Sequence, residues 1–382
     1  MTEPTRILHV VGAMNRAGTE TMLMNLYRKI DRKHIQFDFI SFSQQDAHYD
    51  SEIKKMGGRV IKLENPQSVK ELYHAIKTFG PYQAVHSHTL FHCGMASCAA
   101  WLAGVKIRIS HAHTTADKSD SFLRKLYQFS MSVMIKRFST NLLACSKEAA
   151  TFLFGSNYKS NKHYAYFPNV IDYTDFISQP RQKVMEFKMR EGLGNSLVIG
   201  HIGRFIGAKN HEFLIEIMKS LVEKEPSIKL LLVGDGDLKH KILEKVQQEG
   251  MGDRVHFMGI REDIATILHC MEVFVFPSKY EGLGLVLLEA QACGIPCIVS
   301  EAIQPEADIG LGLITQVNLD EGASTWADEI LNNAGNKEQD STFIADHFEK
   351  HQYSPSKGIE KLMSLYHLNN GGTYEESINR FV

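Results

Sequence analysis

The apolar positions of this chain fall into short, dense runs. Each is followed by a turn rich in Gly, Ser or His, and then by a longer stretch with helical spacing. Arg6-Ile7-Leu8-His9-Val10-Val11 is the first run, and others cover 37–42, 58–63, 84–88, 105–110 and 142–146. Runs that are apolar at nearly every position read as strands covered on both faces. A second series lies at 198–205, 229–236, 255–260, 274–276 and 295–299. Helical stretches separate the runs, for instance at 94–103, 121–140, 264–270 and 285–292, with another from just after Asn210 to Val222. Regular strand–helix alternation predicts parallel sheets of the doubly wound α/β kind. The clearest unit spans 274–299. Pro277 ends its strand, glycines punctuate the turn, good helix formers run from Leu285 to Ala292, and Gly294 with Pro296 stops the helix.

Composition narrows the class. A length of 382 residues gives room for two or three domains. The formal net charge of −2 offers no general field for a polyanion, so nucleic acid is not an expected partner. Six cysteines sit mostly in apolar or helical contexts without a Cys-x-x-Cys pair, and read as reduced thiols of a cytosolic protein. No apolar run is long enough to span a bilayer, and the one at 7–11, broken by His9, is too short for a signal-peptide core. A cytoplasmic location is expected. The 121–140 stretch carries Arg124, Lys125, Lys136 and Arg137 around aromatic residues. Such a helix could touch an anionic membrane surface, or serve as a scaffold with a solvated face.

Candidate chemistry concentrates in the 274–299 unit. Glu281 sits in the turn, where strand ends of such sheets meet ligands. Glu289 lies about one and a half turns into the helix among Leu287, Leu288, Ala290 and Ala292, where a carboxylate needs a hydrogen-bonding partner. Gly282, Gly284 and the first helical residues leave free N–H groups at a helix N-terminus, which suits a phosphate. A phosphate cradle with a carboxylate on each side would serve a sugar nucleotide. A tight turn with a solvated glutamate is the plainer alternative. Elsewhere, His86, His88, His111 and His113 end two strand runs. Alternate residues on a strand face one way, so each His-x-His pair could hold a metal. No Cys or carboxylate completes a set nearby, and no metal is expected.

Glu281-Gly282-Leu283-Gly284 through Glu289-Ala290, preceded by Pro-Ser and followed by Ala-Cys-Gly-Ile-Pro, resembles the paired-glutamate motif of retaining GT-B glycosyltransferases. The subgroup is the family-four, or glycosyl transferases group 1, type that serves polysaccharide biosynthesis. Other segments agree in order. Gly203, Arg204 and Lys209 match the family's Gly-Arg-…-Lys pattern, and 229–236 and 255–260 match a strand with a Gly turn and the base-binding strand. The loop after the first strand departs from the pattern: Ala17-Gly18-Thr19-Glu20 keeps one glycine of a usual pair.

The resemblance implies a GT-B fold, two Rossmann-like doubly wound domains facing a central cleft. Residues 1–172 would form the acceptor-side domain and 173–355 the nucleotide-sugar domain. Residues 356–382 would form a C-terminal helix crossing back to the first domain, plus a polar tail. It implies a hexosyltransferase that moves a sugar from a nucleoside-diphosphate sugar, of the UDP-sugar kind, to an acceptor hydroxyl with anomeric retention. The acceptor would be an oligosaccharide or lipid-linked. Glu281 would contact donor-sugar hydroxyls and Glu289 the ribose. Arg204 and Lys209 would neutralise the leaving diphosphate in place of a metal ion, and both are expected to be exposed before donor binds. His113 would reach the donor sugar and His88 the acceptor side. Gly18, Gly203, Phe257, Gly282, Leu283, Gly284 and Leu285 complete the expected donor contacts. No cofactor is expected, and contact with the inner face of the membrane is a possible accessory. The alternatives are a sugar-nucleotide epimerase of the same architecture and a non-catalytic sugar-nucleotide binding protein.

Overall fold

The computed structural model describes residues 3–113, 121–281 and 283–368. Gly282 and the polar tail from Asn369 lie outside the described residues. The chain forms two compact units. One holds the residues up to Val170 together with those from Gln352 onward, and the other holds Ile171–His351. The change-over points thus fall slightly before the expected 172/173 and 355/356.

The first unit is built on seven strands: β1 (Thr5–Val11), β2 (Ile35–Ser41), β3 (Val60–Lys62), β4 (Ala84–Ser87), β5 (Ile107–Ala112), β6 (Asn141–Ala144) and β7 (Tyr164–Tyr166). All pair in parallel, in the order β3-β2-β1-β4-β5-β6-β7. The winding reverses between β1 and β4, and sheets of this kind bind ligands beyond the strand carboxyl ends at such a reversal. Burial on both faces explains the unbroken apolar runs; β2 is buried at all seven positions. Its one charge, Asp38, is compensated by Arg6 Nη1 at 2.6 Å, the Tyr82 hydroxyl at 3.0 Å and the Arg59 backbone N–H at 2.9 Å. The helix Pro355–Leu365 belongs to this unit and packs on the helix Gly18–Lys29, where Gly358 lets Leu26 and Val170 approach.

The second unit repeats the plan with β8 (Val198–Ile202), β9 (Lys229–Val233), β10 (Val255–Gly259), β11 (Val273–Phe276), β12 (Cys297–Ser300) and β13 (Ile314–Val317). Its order is β10-β9-β8-β11-β12-β13, so the reversal falls between β8 and β11. Trp326 is fully buried in its core with Leu214, Met218, Leu230 and Val275.

Several expectations change in detail. β8 ends at Ile202 rather than 205, whereas β9 ends at Val233 just before the expected glycine turn. A Cβ on Gly234 would lie 2.2 Å from the Gly203 carbonyl oxygen, so the two chains touch there and the ladder stops. The bridge at 173–196 contains the helices Thr174–Ile177 and Arg181–Arg190. The second buries only Phe187, too little for an apolar pattern. β7 and β13 have no counterpart in the sequence reading because both are short, half-exposed edge strands. The helix expected at 121–140 spans Phe122–Phe138, capped by Ser121, and buries only Met131 and Ile135. Phe122 is 78% exposed, Leu123 76% and Phe129 68%, with Leu126 and Val133 also exposed.

Gly294 takes a φ of 68° after the helix Leu285–Ala292, and a Cβ there would lie 2.0 Å from the Glu338 carbonyl oxygen. Gly294→Ala is expected to lower unfolding free energy by about 2–4 kcal/mol through left-handed strain plus the clash. Gly335→Ala, with φ 87° but open space around it, should lose only about 1–2 kcal/mol. Urea unfolding of both variants checks this; equal losses would show that the close approach to Glu338 contributes nothing.

Candidate functional site

Within the second unit, the loops after β8 and β11 flank the reversal. The loop after β8 carries Gly203, exposed Arg204 and a helical turn Gly207–Lys209 leading into the helix His211–Lys224. The loop after β11 carries Pro277, Ser278, Glu281 and Gly284 before the helix Leu285–Ala292. The Lys279 backbone N–H donates to the Ala208 carbonyl at 2.8 Å and ties the two loops together. Lys209 Nζ donates to Glu281 Oε2 and lies 4.4 Å from the Phe276 ring centroid. The Ser278 hydroxyl adds a 3.4 Å contact to the same carboxylate oxygen. Gly203 makes room for this arrangement: a Cβ there would sit 3.0 Å from His201 Nε2 and 3.2 Å from Lys209 Cε.

The expectation that both cations are exposed therefore needs correction. The Lys209 side chain is only 13% exposed, held by Glu281 and the aromatic ring, whereas Arg204 is exposed and makes no ion pair among the described residues. Sequence spacing gave the two the same role without showing that one is already engaged.

The helix Leu285–Ala292 begins at Gly284 in the left-handed region, φ 73°, and no side chain among the described residues caps its first N–H groups. Glycine is the residue that adopts this φ without strain. Leu283 and Leu285 are buried, so a ligand at this end would meet their main chain rather than their side chains. Gly282, expected as a donor contact, lies outside the described residues. Glu289 is partly buried on this helix and has no hydrogen-bond or ion-pair partner among the described residues. Burial pushes its carboxyl up to about 7. Phe257 stacks on Phe205, centroids 5.9 Å apart, and the ladder register shifts between Phe257 and Gly259. Sequence reasoning missed His201 and His211. His201 Nδ1 donates to the Val275 carbonyl at 2.9 Å, and neither His211 nitrogen has a hydrogen-bond partner among the described residues. Burial, then the Lys209 charge, holds the His211 imidazole down to about 4.

Within the first unit, imidazoles gather at the carboxyl ends of β1, β4 and β5. His9 on β1 is the direct partner of His86 on β4. The two-residue alternation then brings His86 and His88 to one face, and likewise His111 and His113. His113 Nδ1 meets Asn169 Oδ1 at 3.0 Å, His113 Nε2 meets His88 Nδ1 at 2.9 Å, and His88 Nε2 meets His9 Nδ1 at 3.1 Å. Alongside, His111 Nδ1 meets His86 Nε2 at 3.2 Å, and His86 Nδ1 meets the Tyr366 hydroxyl at 2.8 Å. Burial lowers His9 to about 3 and His113 to about 4, and holds His86, His88 and His111 well below the usual value, so the array is neutral at pH 7. Two sets of three, His9/His86/His88 and His88/His111/His113, could hold a metal ion. The sequence argument against metal looked for a Cys or carboxylate as the completing ligand, whereas the fold supplies a third imidazole. His9 was visible only as a break in an apolar run. Gly18 lies exposed as the first residue of its helix, after β1.

The family model described as Glycosyl transferases group 1 matches residues 196–332. EpsF of Bacillus subtilis (strain 168), whose name describes a glycosyltransferase, is 38% identical over 371 residues, spanning 95% of this chain and 96% of that protein. The capsular polysaccharide biosynthesis glycosyltransferase CapH of Staphylococcus aureus is 27% identical over 295 residues, 75% of this chain and 78% of that protein. Among solved structures, HepE of Anabaena in complex with UDP and glucose superposes with a TM-score of 0.78 at 16% identity, covering 95% of this chain and 100% of that one. Paired glutamates, a Gly-Arg-…-Lys loop and two parallel doubly wound sheets thus occur in a chain related over nearly its whole length to a glycosyltransferase, and the chain belongs to the group 1 glycosyltransferases with the GT-B fold.

Proposed function

We propose that this enzyme moves a sugar from a nucleoside-diphosphate sugar, of the UDP-sugar class, to a hydroxyl of an oligosaccharide or lipid-linked acceptor in cell-surface polysaccharide assembly, with retention at the anomeric carbon. The observation that carries the reading is the Lys209–Glu281 pair beside an uncapped helix N-terminus, with Glu289 further along that helix. The name of CapH and the UDP and glucose bound to HepE support the choice of pathway and donor.

A diphosphate entering this site finds N–H donors at Gly284 and Leu285, and the Lys209 and Arg204 cations. Lys209 exchanges its carboxylate partner for a phosphate oxygen, which frees Glu281 to accept hydrogen bonds from sugar hydroxyls. Glu289 accepts from the ribose. Charge builds on the diphosphate as the glycosidic bond breaks, so fixed cations stabilise the transition state more than the ground state. The departing phosphate oxygen takes the proton of the incoming acceptor hydroxyl on the same face, which gives retention without a protein nucleophile. Because side chains neutralise the diphosphate, transfer needs no metal ion there. His113 contacts the donor sugar and His88 the acceptor side.

The helix Phe122–Phe138 adds a membrane reading for the acceptor. Its exposed apolar stripe is flanked by Arg124, Lys125, Lys136 and Arg137, with no acidic residue on the helix. Apolar insertion plus cations suits an anionic lipid surface, worth about 1 kcal/mol per cation near it. Among the described residues no helix is long and apolar enough to cross a membrane.

The central experiment measures acceptor-dependent release of nucleoside diphosphate at saturating donor. Arg204→Ala and Lys209→Ala should each lower turnover roughly 10²–10³-fold while weakening donor binding less. Arg204→Ala should change stability by less than about 0.5 kcal/mol because the residue is exposed. Near-normal turnover in both variants would overturn the diphosphate role.

Glu289 generates a pH prediction. Its folded-state carboxyl sits near 7, and ribose hydroxyls donate to the charged form, so binding favours ionisation. Affinity for UDP should therefore rise with pH up to about 7 and level off above it, by at most about tenfold per unit. The terminal phosphate titrates near 6 too, so the informative quantity is the difference between the unmodified enzyme and Glu289→Gln. Calorimetric titrations from pH 5.5 to 8 with parallel profiles for the two proteins would remove Glu289 from the ribose.

For the membrane surface, sedimentation with phosphatidylglycerol vesicles should carry the enzyme down and phosphatidylcholine vesicles should not. The double variant Phe122→Ser, Phe129→Ser should lose the binding. Retention by that variant would place the contact elsewhere.

A further inference from the structure

We propose that the histidine array at the carboxyl ends of β1, β4 and β5 is a transition-metal site, with His88, His111 and His113 as ligands. The three offer nitrogens that all lie within 4.8 Å of one another. Bonds of about 2.0–2.1 Å in a tetrahedral zinc site put ligand nitrogens about 3.3 Å apart, so small rotations of the rings close the set. His88 Nδ1 and His113 Nε2 already stand 2.9 Å apart.

The surroundings look like an outer shell around a metal. A ligating histidine usually has its other nitrogen fixed by a neighbour, which sets the ring's orientation. Here His113 Nδ1 is held by Asn169, His88 Nε2 by His9 and His111 Nδ1 by His86, whose own Nδ1 is held by Tyr366. The nitrogens left over are His88 Nδ1, His113 Nε2 and His111 Nε2. His111 Nε2 is buried and meets no hydrogen-bond partner of good geometry among the described residues, although the Phe167 main chain lies beside this ring; His9 Nε2 is likewise without a partner there. In the present arrangement one N–H joins His88 Nδ1 to His113; on metal binding that proton moves to His88 Nε2, where His9 Nδ1 accepts it, and the freed Nδ1 and the His113 and His111 rings turn to the ion.

The donor set decides the metal. Three imidazoles without a carboxylate suit zinc, cobalt, nickel or copper and do not suit magnesium or calcium. Three protein ligands also leave a fourth position for water or another small ligand. The ligands are different residues from Lys209 and Arg204, to which the diphosphate is assigned above, so the proposed transfer does not draw on this metal. Under the proposed role of His113 at the donor sugar, metal occupancy competes with that contact and lowers transfer.

The test is a titration of the metal-stripped full-length chain with cobalt(II) and zinc(II), read by visible absorption and by calorimetry. One equivalent per chain is expected, with the intense visible bands of tetrahedral cobalt, and no uptake of magnesium. His111→Gln and His113→Gln should abolish the bands. Asn169→Ala, which donates no ligand, should weaken binding roughly 10–100-fold. The chain also has a half-buried i, i+4 pair, His347 and His351, that could bind metal adventitiously. His347→Gln should therefore leave the signal intact. Weak octahedral bands in the unmodified chain, or a signal lost in His347→Gln and kept in His111→Gln, would overturn the assignment without depending on whether any one variant folds.

Discussion

A parallel sheet with helices on both faces has no place for an unpartnered polar group until its strands run out. The constraint follows from the cost of taking hydrogen-bonding groups away from water, and it shapes both units. Strands β2 and β11 are buried from end to end, and where a charge does enter, as at Asp38, it arrives with its partners. Chemistry is pushed to the carboxyl ends of the strands. In the second unit it collects beside β8 and β11, in the first beside β1, β4 and β5. The glycines at 203 and 234 belong to the same constraint, because chains converging on a reversal of winding must pass one another without side chains between them.

Much of this was legible in the sequence for physical reasons. Strands buried on both faces leave unmistakable apolar runs, and the helix Leu285–Ala292 begins and ends at the residues that its glycines and helix formers mark. The candidate residues of the second unit could be found because a glycine-bounded helix start and an isolated glutamate are local features. The edge strands β7 and β13 were not legible, since half-exposed pieces of three or four residues have no pattern to show.

What the sequence concealed are relations between loops distant in the chain. Nothing local says that Lys209 has Glu281 as a partner 72 residues away, or that its alkyl stem lies along the end of β8. His9 was hidden for a similar reason. Inside an apolar run a single histidine looks like an interruption. Only the register of β1 on β4 shows that it stands opposite His86 and extends the row to the reversal point.

The pairing of Lys209 with Glu281 has a consequence for which molecules the unliganded site welcomes. A lone lysine in a glycine-rich loop would attract any small anion in the cell. Here the cation is already neutralised, so an inorganic phosphate must break the pair and strand a carboxylate in a half-buried position. A molecule carrying both a diphosphate and a ring of hydroxyls satisfies the two halves at once. Under the function proposed above, the site works as a coincidence detector. After transfer, the spent nucleotide would satisfy only one half, and reunion of the two side chains would favour its departure.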